Sequence, residues 1–491
     1  MSKNSQLHNQ IFNGLCSAAG KENVSDSEMV LVTYGFDSST TPPTKPDFVV
    51  MPRDTISVKQ VLEVANRYKI PVTVMSGGTN ITGMTVPSEG GIVLDLIWMN
   101  KIIEINEDAA YAVIEPGVTF DELTARLIEK GFRCHIPTAP GGGTVTGNVL
   151  LKPSGSLANR HLDSLIGVEV VLPDGTIVRT GSSAFPFCGY FMRYGPFPDL
   201  TGLFCSSYGT LGVVTKASIR IYPINESVKV SIVAFDTFLD SVNFTKEVCR
   251  GNIAEHCIIW NRHIYKGYEV DLSSQNELLV PDVMYDDPRS KNSNLPYNLV
   301  TVLMSGYQED METHEKVLER VSKANSGYIF SKEDIETNIA KAARSWKSFY
   351  EEYHIPPMDQ TKKYGLGRYV AWIVQAEPKS LVSIEKEAIQ FLDDLKIRPI
   401  CYYSMPFDYG RAMFFRLFSY VNPQDKELLA KVGTLYQDMY KWAMKKYGAT
   451  PYRHRRDPNN LAMTGGYQTL LRAIKKLVDP NNIMNPGITL F

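Results

Sequence analysis

Two glycine-rich turns carry the residue types in this sequence that are best suited to binding a charged ligand. The first comprises Ser76, Gly77, Gly78, Thr79 and Asn80, and the second comprises Pro140, Gly141, Gly142, Gly143, Thr144, Val145, Thr146, Gly147 and Asn148. Glycines allow a backbone to approach a pyrophosphate closely and to adopt positive φ, so that successive N–H groups point into one concavity. The threonine and asparagine side chains can add hydrogen bonds. Both turns therefore predict a phosphate-containing ligand.

The spacing of these glycines differs from that of the two most familiar phosphate loops. Neither turn reads G-x-G-x-x-G followed by an acidic residue on the next strand, and the sequence contains no G-x-x-x-x-G-K-[ST]. The alternative for either turn alone is a purely structural tight turn, since glycine clusters are common in loops. Two such turns in one part of the chain favour the ligand-binding interpretation.

Length and composition narrow the class of protein. A chain of 491 residues with 44% hydrophobic and 21% charged residues is expected to form two or more packed lobes. The net charge of −2 and the scattered Lys and Arg residues argue against a nucleic-acid partner. No C-x-x-C pair occurs among the seven cysteines, and we find no membrane span or secretory signal. A reduced, cytoplasmic protein is the expectation.

Periodicity and turn signals predict an alternating α+β organisation. We expect a leader over residues 1–46, a first lobe over 47–223, a second lobe over 224–450 and a C-terminal segment over 451–491, with regular structure beginning at Phe48. A first helix is predicted with Ser57 as its cap, and the strand after it, residues 72–75, runs directly into the first glycine turn. Further predictions are a helix capped by Thr119 and Glu122, a hairpin at 173–175 and a long helix over 424–447.

A series of motifs that follow one another along the chain resembles one family of flavoproteins. They are residues 74–80, 115–119, 140–148, 167–175, 179–181, 194–196, 202–204, 209–216 and 479–487. Together they resemble the vanillyl-alcohol oxidase and p-cresol methylhydroxylase (PCMH) family, with likeness also to glycolate oxidase and D-lactate dehydrogenase flavoproteins. The resemblance implies an α+β fold in which a PCMH-type FAD-binding lobe of two subdomains, 47–223, carries an α+β cap lobe of the FAD-linked oxidase C-terminal type.

The resemblance also implies where FAD binds and what the protein does with it. The two glycine turns would hold the FAD pyrophosphate and ribityl chain, Gly212, Val213 and Val214 would border the cofactor through their backbone, and Asn485 would return to it. The implied activity is removal of a hydride from a small organic substrate, a para-substituted phenol or an alcohol. Electrons would pass to oxygen or to an external acceptor, namely a cytochrome, an electron-transfer flavoprotein or an iron–sulfur protein. The family also implies a homo-oligomer.

Tyr452 and Arg453 are the substrate-side candidates, because the family carries there a Tyr-Arg pair that stabilises a phenolate. A guanidinium and a phenol are suitable donors to an oxyanion; a charged surface patch is the alternative. Two departures weaken the phenol assignment, because residues 136–139 lack an acidic group and residues 80–83 lack a tyrosine that the family's phenol oxidases carry. Tyr369 is a candidate for a covalent flavin link, with a packed strand aromatic as the alternative.

Two other functions stay open at this point. One is a D-2-hydroxy acid dehydrogenase of the glycolate or D-lactate type, in which Arg368, Arg411 or Arg453 could bind the substrate carboxylate. Those relatives carry a metal site with two histidines, but we interpret His256 and His263 as structural, because their surroundings lack further ligands. No metal is predicted. The other is a catalytically inactive scaffold or electron-transfer subunit that retains the fold.

Overall fold

The computed structural model describes residues 3–37, 39, 41–137, 140–152, 155–156, 163–269, 295–352, 368–397, 400–422, 424–453 and 465–488. The first sheet contains β1 (Val24–Ser25), β2 (Phe48–Val50), β3 (Val72–Met75) and β4 (Ile92–Asp95) in the order β1-β2-β4-β3, and its three longer strands run parallel. Helices α1 (Lys3–Ala19), α2 (Glu28–Thr33) and α3 (Thr55–Tyr68) accompany it. The parallel strands are buried apolar runs, as expected for strands covered on both faces.

Two local predictions for this region were wrong. Regular structure begins at α1, well before Phe48, because Ile11, Leu15 and Ala18 lie at helical spacing and are buried in the same core as Val58 of α3. The side chain of Asp54, rather than that of Ser57, caps α3 and accepts from the Ser57 amide at 2.7 Å. An Asp three residues before that amide competes successfully with a serine that lies inside the first turn.

The second sheet completes the first lobe and is antiparallel. Its strands are β5 (Ile102–Asn106), β6 (Tyr111–Ile114), β8 (Leu165–Val171), β9 (Ile177–Arg179) and β10 (Val213–Arg220), in the order β5-β6-β10-β8-β9. A small ribbon pairs β7 (Phe132–Arg133) with β11 (Tyr222–Pro223), and the helices are α4 (Phe120–Ile128), α5 (Val145–Leu150) and α6 (Thr201–Phe204). The predicted capping box of Thr119 and Glu122 and the hairpin at 173–175 are both confirmed.

The second lobe is built on one eight-stranded antiparallel sheet of order β15-β12-β14-β13-β17-β18-β16-β19. The strands are β12 (Ser227–Phe235), β13 (His256–Asn261), β14 (Asn298–Gly306), β15 (Tyr328–Ile329), β16 (Arg368–Ala376), β17 (Cys401–Phe407), β18 (Ala412–Val421) and β19 (Thr450–Pro451). One face packs on α7 (Phe238–Arg250), α9 (Gln308–Ala324), α12 (Pro378–Asp394) and α13 (Lys426–Tyr447). The predicted long helix is thus confirmed as α13.

The other face of this sheet, here called the inner face, bears Ile258, Tyr403, Met405 and Phe414. It packs against α8 (Arg262–Glu269), α10 (Lys332–Asn338) and α11 (Ala340–Tyr350), and also against Ile136 of the first lobe. The inner face is therefore the side of the cap that meets the first lobe.

After the cap the chain returns to the first lobe. Helix α14 (Gly465–Val478) leads into a tail in which Met484 forms a bridge with Val72 of β3, and Ile483 and Met484 join the core of the first sheet. Among the residues that the structure describes, no helix combines the length and apolar character needed to cross a bilayer.

Candidate functional site

The first glycine turn follows β3 directly and exposes its backbone. Gly78 has φ of 62°, a left-handed value that favours glycine. In the described part of the chain, the amides of Gly77, Gly78 and Thr79 make no hydrogen bond. The side chain of Asn80 accepts from the Thr82 amide at 2.8 Å and so fixes the end of the turn. Three consecutive unbonded amides are what an anion nest requires.

The second glycine turn lies against the first. The hydroxyls of Ser76 and Thr144 are 2.9 Å apart. A Cβ atom on Gly77 would lie 3.0 Å from the Thr144 amide nitrogen, and one on Gly147 would lie 3.0 Å from the Thr144 hydroxyl. Side chains at either glycine would therefore crowd the junction between the turns. Together the two turns form a narrow, backbone-lined cradle.

Other glycines and an asparagine of the predicted set have structural partners of their own. A Cβ atom on Gly141 would lie 1.9 Å from the carboxylate of Asp121, and the Pro140 carbonyl accepts from the Gly143 amide at 2.9 Å. Asn148 hydrogen-bonds through Oδ1 to Nε2 of the buried His135 at 3.2 Å. These contacts shape the second turn, and a further contact of the same residues with FAD stays a prediction.

The segment over 212–214 and the C-terminal tail complete the wall near the first turn. Gly212 has φ of 152°, and a Cβ atom there would lie 2.8 Å from the Val171 carbonyl oxygen. Val213 is buried in the core and pairs with Val171, and Val214 pairs with Val170. The Asn485 side chain donates to the carbonyls of Met84 at 3.1 Å and Tyr208 at 2.8 Å. Asn485 therefore ties the tail to two loops that flank β3.

Lys475 is a buried residue that the sequence did not single out. Its ammonium donates to the Thr210 carbonyl at 2.8 Å, to Asp479 at 2.5 Å and to the Met484 carbonyl at 3.0 Å. Burial lowers the pKa of Lys475 below its usual range, although Asp479 opposes this effect. The available signal was a lysine in the last turn of α14, four residues before Asp479, which follows the helix. The residue fixes the tail beside the segment over 210–212.

Tyr452 lies where the cap meets the first lobe. Its amide donates to the Ile373 carbonyl at 3.1 Å, its ring packs edge-on to Phe414 at 4.7 Å, and its hydroxyl donates to the Lys152 carbonyl of the first lobe. The guanidinium carbon of Arg453 lies 5.6 Å from the centre of the Tyr452 ring. Both side chains are half-buried. The predicted pair thus lies at the junction of the two lobes.

A row of side chains on the inner face was missed by sequence reasoning. Cross-strand register places Ile373 opposite Arg416, Arg416 opposite Tyr403, and Tyr403 opposite Trp260. Nη1 of Arg416 donates to the Tyr403 hydroxyl at 2.8 Å. The signal in the sequence was an arginine at the middle of an alternating apolar strand, between Phe414 and Phe418. Its significance depends on pairing between distant strands, which the sequence does not reveal.

Comparison with known proteins agrees with this architecture. Residues 46–181 match a family model described as FAD binding domain, and residues 224–488, more than half of the chain, match the model for FAD linked oxidases, C-terminal domain. The chain belongs to the FAD-linked oxidase family. The family resemblance, the fold class and the FAD cofactor predicted above are therefore confirmed, as is an oxidase or dehydrogenase activity.

Relatives of this FAD-linked oxidase include proteins named for D-lactate and glycolate. A Danio rerio protein named "Probable D-lactate dehydrogenase, mitochondrial" is 25% identical over 98% of the chain and 92% of its own length. The glycolate oxidase subunit GlcD of Bacillus subtilis is 34% identical, over 45% of the chain and 47% of its own length.

Two of the similar solved structures are of enzymes named for phenols, and two others are of an alkyldihydroxyacetonephosphate synthase, with TM-scores of 0.70 and 0.68. A structure titled p-cresol methylhydroxylase with substrate bound has a TM-score of 0.85 and 21% identity, covering 98% of this chain and 96% of that one. A 4-ethylphenol oxidase from Gulosibacter chungangensis, in complex with isoeugenol, has a TM-score of 0.84 and 19% identity, and the match covers 99% of this chain and 97% of that one. At these identities the likeness shows the fold alone.

The cradle of this FAD-linked oxidase fits the diphosphate of FAD. Gly77 and Gly147 occupy positions at which a Cβ atom would crowd the junction between the turns, and the unbonded amides of Gly77, Gly78 and Thr79 are donors suited to phosphate oxygens. Tyr369 lies in β16, where its backbone pairs with that of Tyr420. The side chain of Tyr369 lies outside the described residues, so a covalent link there stays a prediction.

The remaining candidates separate into exposed and buried residues. The side chain of Arg411 is 74% exposed in the β17–β18 turn and pairs with Asp408 at 2.8 Å, so it was wrong as a carboxylate ligand of an enclosed site. The side chain of Arg368 is outside the described part. Nδ1 of His263 lies 2.9 Å from the Ile400 carbonyl oxygen, and the buried ring of His256 packs against Tyr350. Both histidines have packing roles inside the cap.

Proposed function

We propose that this FAD-linked oxidase removes a hydride from a small phenol or alcohol whose oxygen is held as an anion by Arg453. The observation that carries the proposal is the position of Tyr452 and Arg453 at the junction of the lobes, with the Tyr452 hydroxyl bonded to Lys152. A para-substituted phenol is the first candidate, since aromatic side chains surround the pair.

The two residues of the pair have different roles in this proposal. The single hydroxyl hydrogen of Tyr452 is donated to the Lys152 carbonyl, so this hydroxyl positions the pair and Arg453 provides the positive charge. The Tyr452 ring packs against Phe407 and Phe414, which holds it in place. A guanidinium held in a partly dehydrated site stabilises an oxyanion more strongly than water does. Arg453 would thereby lower the pKa of a bound phenol.

Bound FAD would accept a hydride, that is two electrons and one proton, from a carbon atom of the substrate. The protein contributes binding and orientation. The cap provides the aromatic wall around Phe407 and Phe414, and the cradle in the first lobe fixes the cofactor on the other side of the junction. The described residues hold no second redox centre that we recognise, so the proposal assigns reoxidation to oxygen or to an external acceptor protein.

A D-2-hydroxy acid is the second candidate substrate. It is favoured by the alignment with the Danio rerio protein, which extends over 98% of the chain. In this alternative Arg453 would bind the carboxylate of the acid rather than a phenolate, since a guanidinium suits both anions.

Anaerobic flavin reduction would test both candidates. The purified holoenzyme is mixed with 4-methylphenol, 4-ethylphenol, D-lactate or glycolate, and the flavin absorbance is followed in a stopped-flow instrument. Reduction by the phenols alone supports the proposal, and reduction by D-lactate or glycolate alone supports the alternative. If none of the four reduces the flavin, both assignments fail. Acid precipitation of the same sample tests Tyr369: flavin retained in the pellet of the natural protein and released in Tyr369→Phe would support the covalent link.

A further inference from the structure

The inner face carries a cationic group, Arg416, that the proposed function does not use. Tyr452 is bonded to Ile373 of β16, and Ile373 lies opposite Arg416 of β18. Arg416 is therefore two strands from β19, a separation of about 10 Å at the usual strand spacing. The same row continues through Tyr403 to Trp260. A substrate that extends from Tyr452 along this row would reach Arg416.

Arg416 and Tyr403 form a hydrogen-bonded pair on the inner face. The Tyr403 hydroxyl accepts from Nη1 of Arg416 at 2.8 Å, which leaves its own hydrogen available to donate. In the described part of the chain, no acceptor is paired with that hydrogen. The guanidinium carbon of Arg416 lies 5.6 Å from the centre of the Tyr403 ring. A carboxylate beside the pair can accept from both the guanidinium and the phenol, as planar guanidinium and carboxylate groups match well.

The surroundings of this pair are aromatic. The ring centre of Trp260 lies 5.6 Å from the ring centres of both Tyr403 and Trp346. Trp260 stacks on Trp346 with an interplanar angle of 16°. The Trp260 indole N–H is already donated to Thr301 at 3.0 Å, so its ring is fixed in place. Arg416 and Trp260 are half-buried, whereas Tyr403 and Trp346 are buried. Rigid aromatic side chains of this kind favour a flat ring next to the charge.

We propose that Arg416 and Tyr403 bind a carboxylate on an aromatic substrate, so that the preferred substrate is a para-hydroxyphenyl compound with a carboxylate on its side chain. This inference rests on the proposed function, in which Arg453 binds the phenolic oxygen. The two strand spacings between β19, which precedes Arg453 in the chain, and β18, which carries Arg416, amount to about 10 Å, similar to the length of a para-substituted ring with hydrogen bonds at both ends. Arg416 is then a specificity-determining residue.

Binding of two probes to the holoenzyme would test this inference. Isothermal titration calorimetry compares 4-hydroxybenzoate, a probe that carries a carboxylate at the para position but no side-chain carbon to oxidise, with 4-methylphenol, which lacks the carboxylate. We expect Arg416→Gln to weaken 4-hydroxybenzoate binding by about tenfold or more, the usual effect of losing a charge-assisted hydrogen bond, and to change 4-methylphenol binding less than about twofold. Tyr403→Phe should give a smaller loss in the same direction. Arg411→Gln, in the exposed turn of the same hairpin, is the matched control and should change neither affinity.

The outcomes separate this inference from the proposed function. If the natural protein binds 4-hydroxybenzoate no better than 4-methylphenol, or if Arg416→Gln affects both probes equally, the carboxylate site is wrong, although flavin reduction by phenols could still stand. If carboxylate binding depends on Arg416 but no phenol reduces the flavin, the proposed function alone fails. Should Arg416→Gln not fold, Arg416→Lys and Tyr403→Phe test the same point, since each leaves one donor in place.

Discussion

Arg453 is the residue on which the proposed stabilisation of an anionic substrate depends. Its guanidinium is half-buried beside the Tyr452 ring, where water competes less for its hydrogen bonds. We expect Arg453→Ala to slow anaerobic flavin reduction by the best substrate about 10²-fold or more, the scale of a lost oxyanion donor. Arg411→Ala is the control because its side chain is exposed. Unchanged reduction kinetics in Arg453→Ala would remove this residue from the site.

His256 makes the stability of the cap sensitive to acid. Burial lowers the pKa of His256 to about 3, well below the usual value of a histidine. Because the unfolded chain takes up this proton below pH ~6.5 and the folded chain does not, the free energy of unfolding should fall by about 1.4 kcal/mol per pH unit between these values.

The comparison of His256→Leu with the natural protein isolates this effect. Urea denaturation at pH 7 and pH 5 should show the natural protein losing about 2 kcal/mol more than the variant. If the natural protein and the variant lose the same free energy of unfolding between pH 7 and pH 5, His256 is protonated in the folded state as well.

At the scale of the element, the two glycine turns act as one unit because they touch. A methyl group at Gly77 would lie 3.0 Å from the Thr144 amide, so the turns could not keep their spacing. We expect Gly77→Ala to weaken FAD binding by about 1–3 kcal/mol, the usual cost of inserting a methylene into a close-packed site. The measurement is the dissociation constant of FAD from fluorescence titration of the apoprotein. Gly433→Ala in α13, which has open space around it, should bind FAD normally.

Local signals predicted several elements of the first lobe and the long helix of the cap, but not how the elements combine. The Thr119 capping box, the hairpin at 173–175 and the amphipathic helix α13 depend on residues close in the sequence, and all three are confirmed. Helix α1 was missed because its apolar stripe is short within a polar segment. Arg416 was missed for a different reason. Pairing of β18 with β16 and β17 places Arg416 between Ile373 and Tyr403, and no local sequence pattern encodes this register.

At the scale of the whole molecule, the buried ion pair of Arg133 and Glu255 joins the lobes. Arg133 of β7 lies 2.5 Å from Glu255, just before β13 of the cap, and Ser305 also donates to Glu255 at 2.8 Å. Both charged side chains are almost fully buried. Glu255→Gln leaves the Arg133 charge without this carboxylate, and we expect it to lower the free energy of unfolding by about 3–5 kcal/mol.

A double variant distinguishes charge burial from loss of shape. Arg133→Met combined with Glu255→Leu should recover most of the stability, since apolar residues of similar volume often replace a buried ion pair at little cost. Denaturant unfolding monitored by both tryptophan and flavin fluorescence reports on the two lobes. If the double variant is as unstable as Glu255→Gln, the geometry of the pair, rather than its charge, holds the lobes together.

The bridge between Val72 and Met484 has a consequence for synthesis of the chain. Ile483 and Met484 belong to the hydrophobic core of the first sheet, whose other strands end by residue 95. During translation the strands of the first sheet therefore lack the contact with residues 483 and 484 until the whole cap has left the ribosome. Nascent chains paused before residue 480 should present an incomplete nucleotide cradle, and chaperone binding to this early intermediate would be the natural protection against its aggregation.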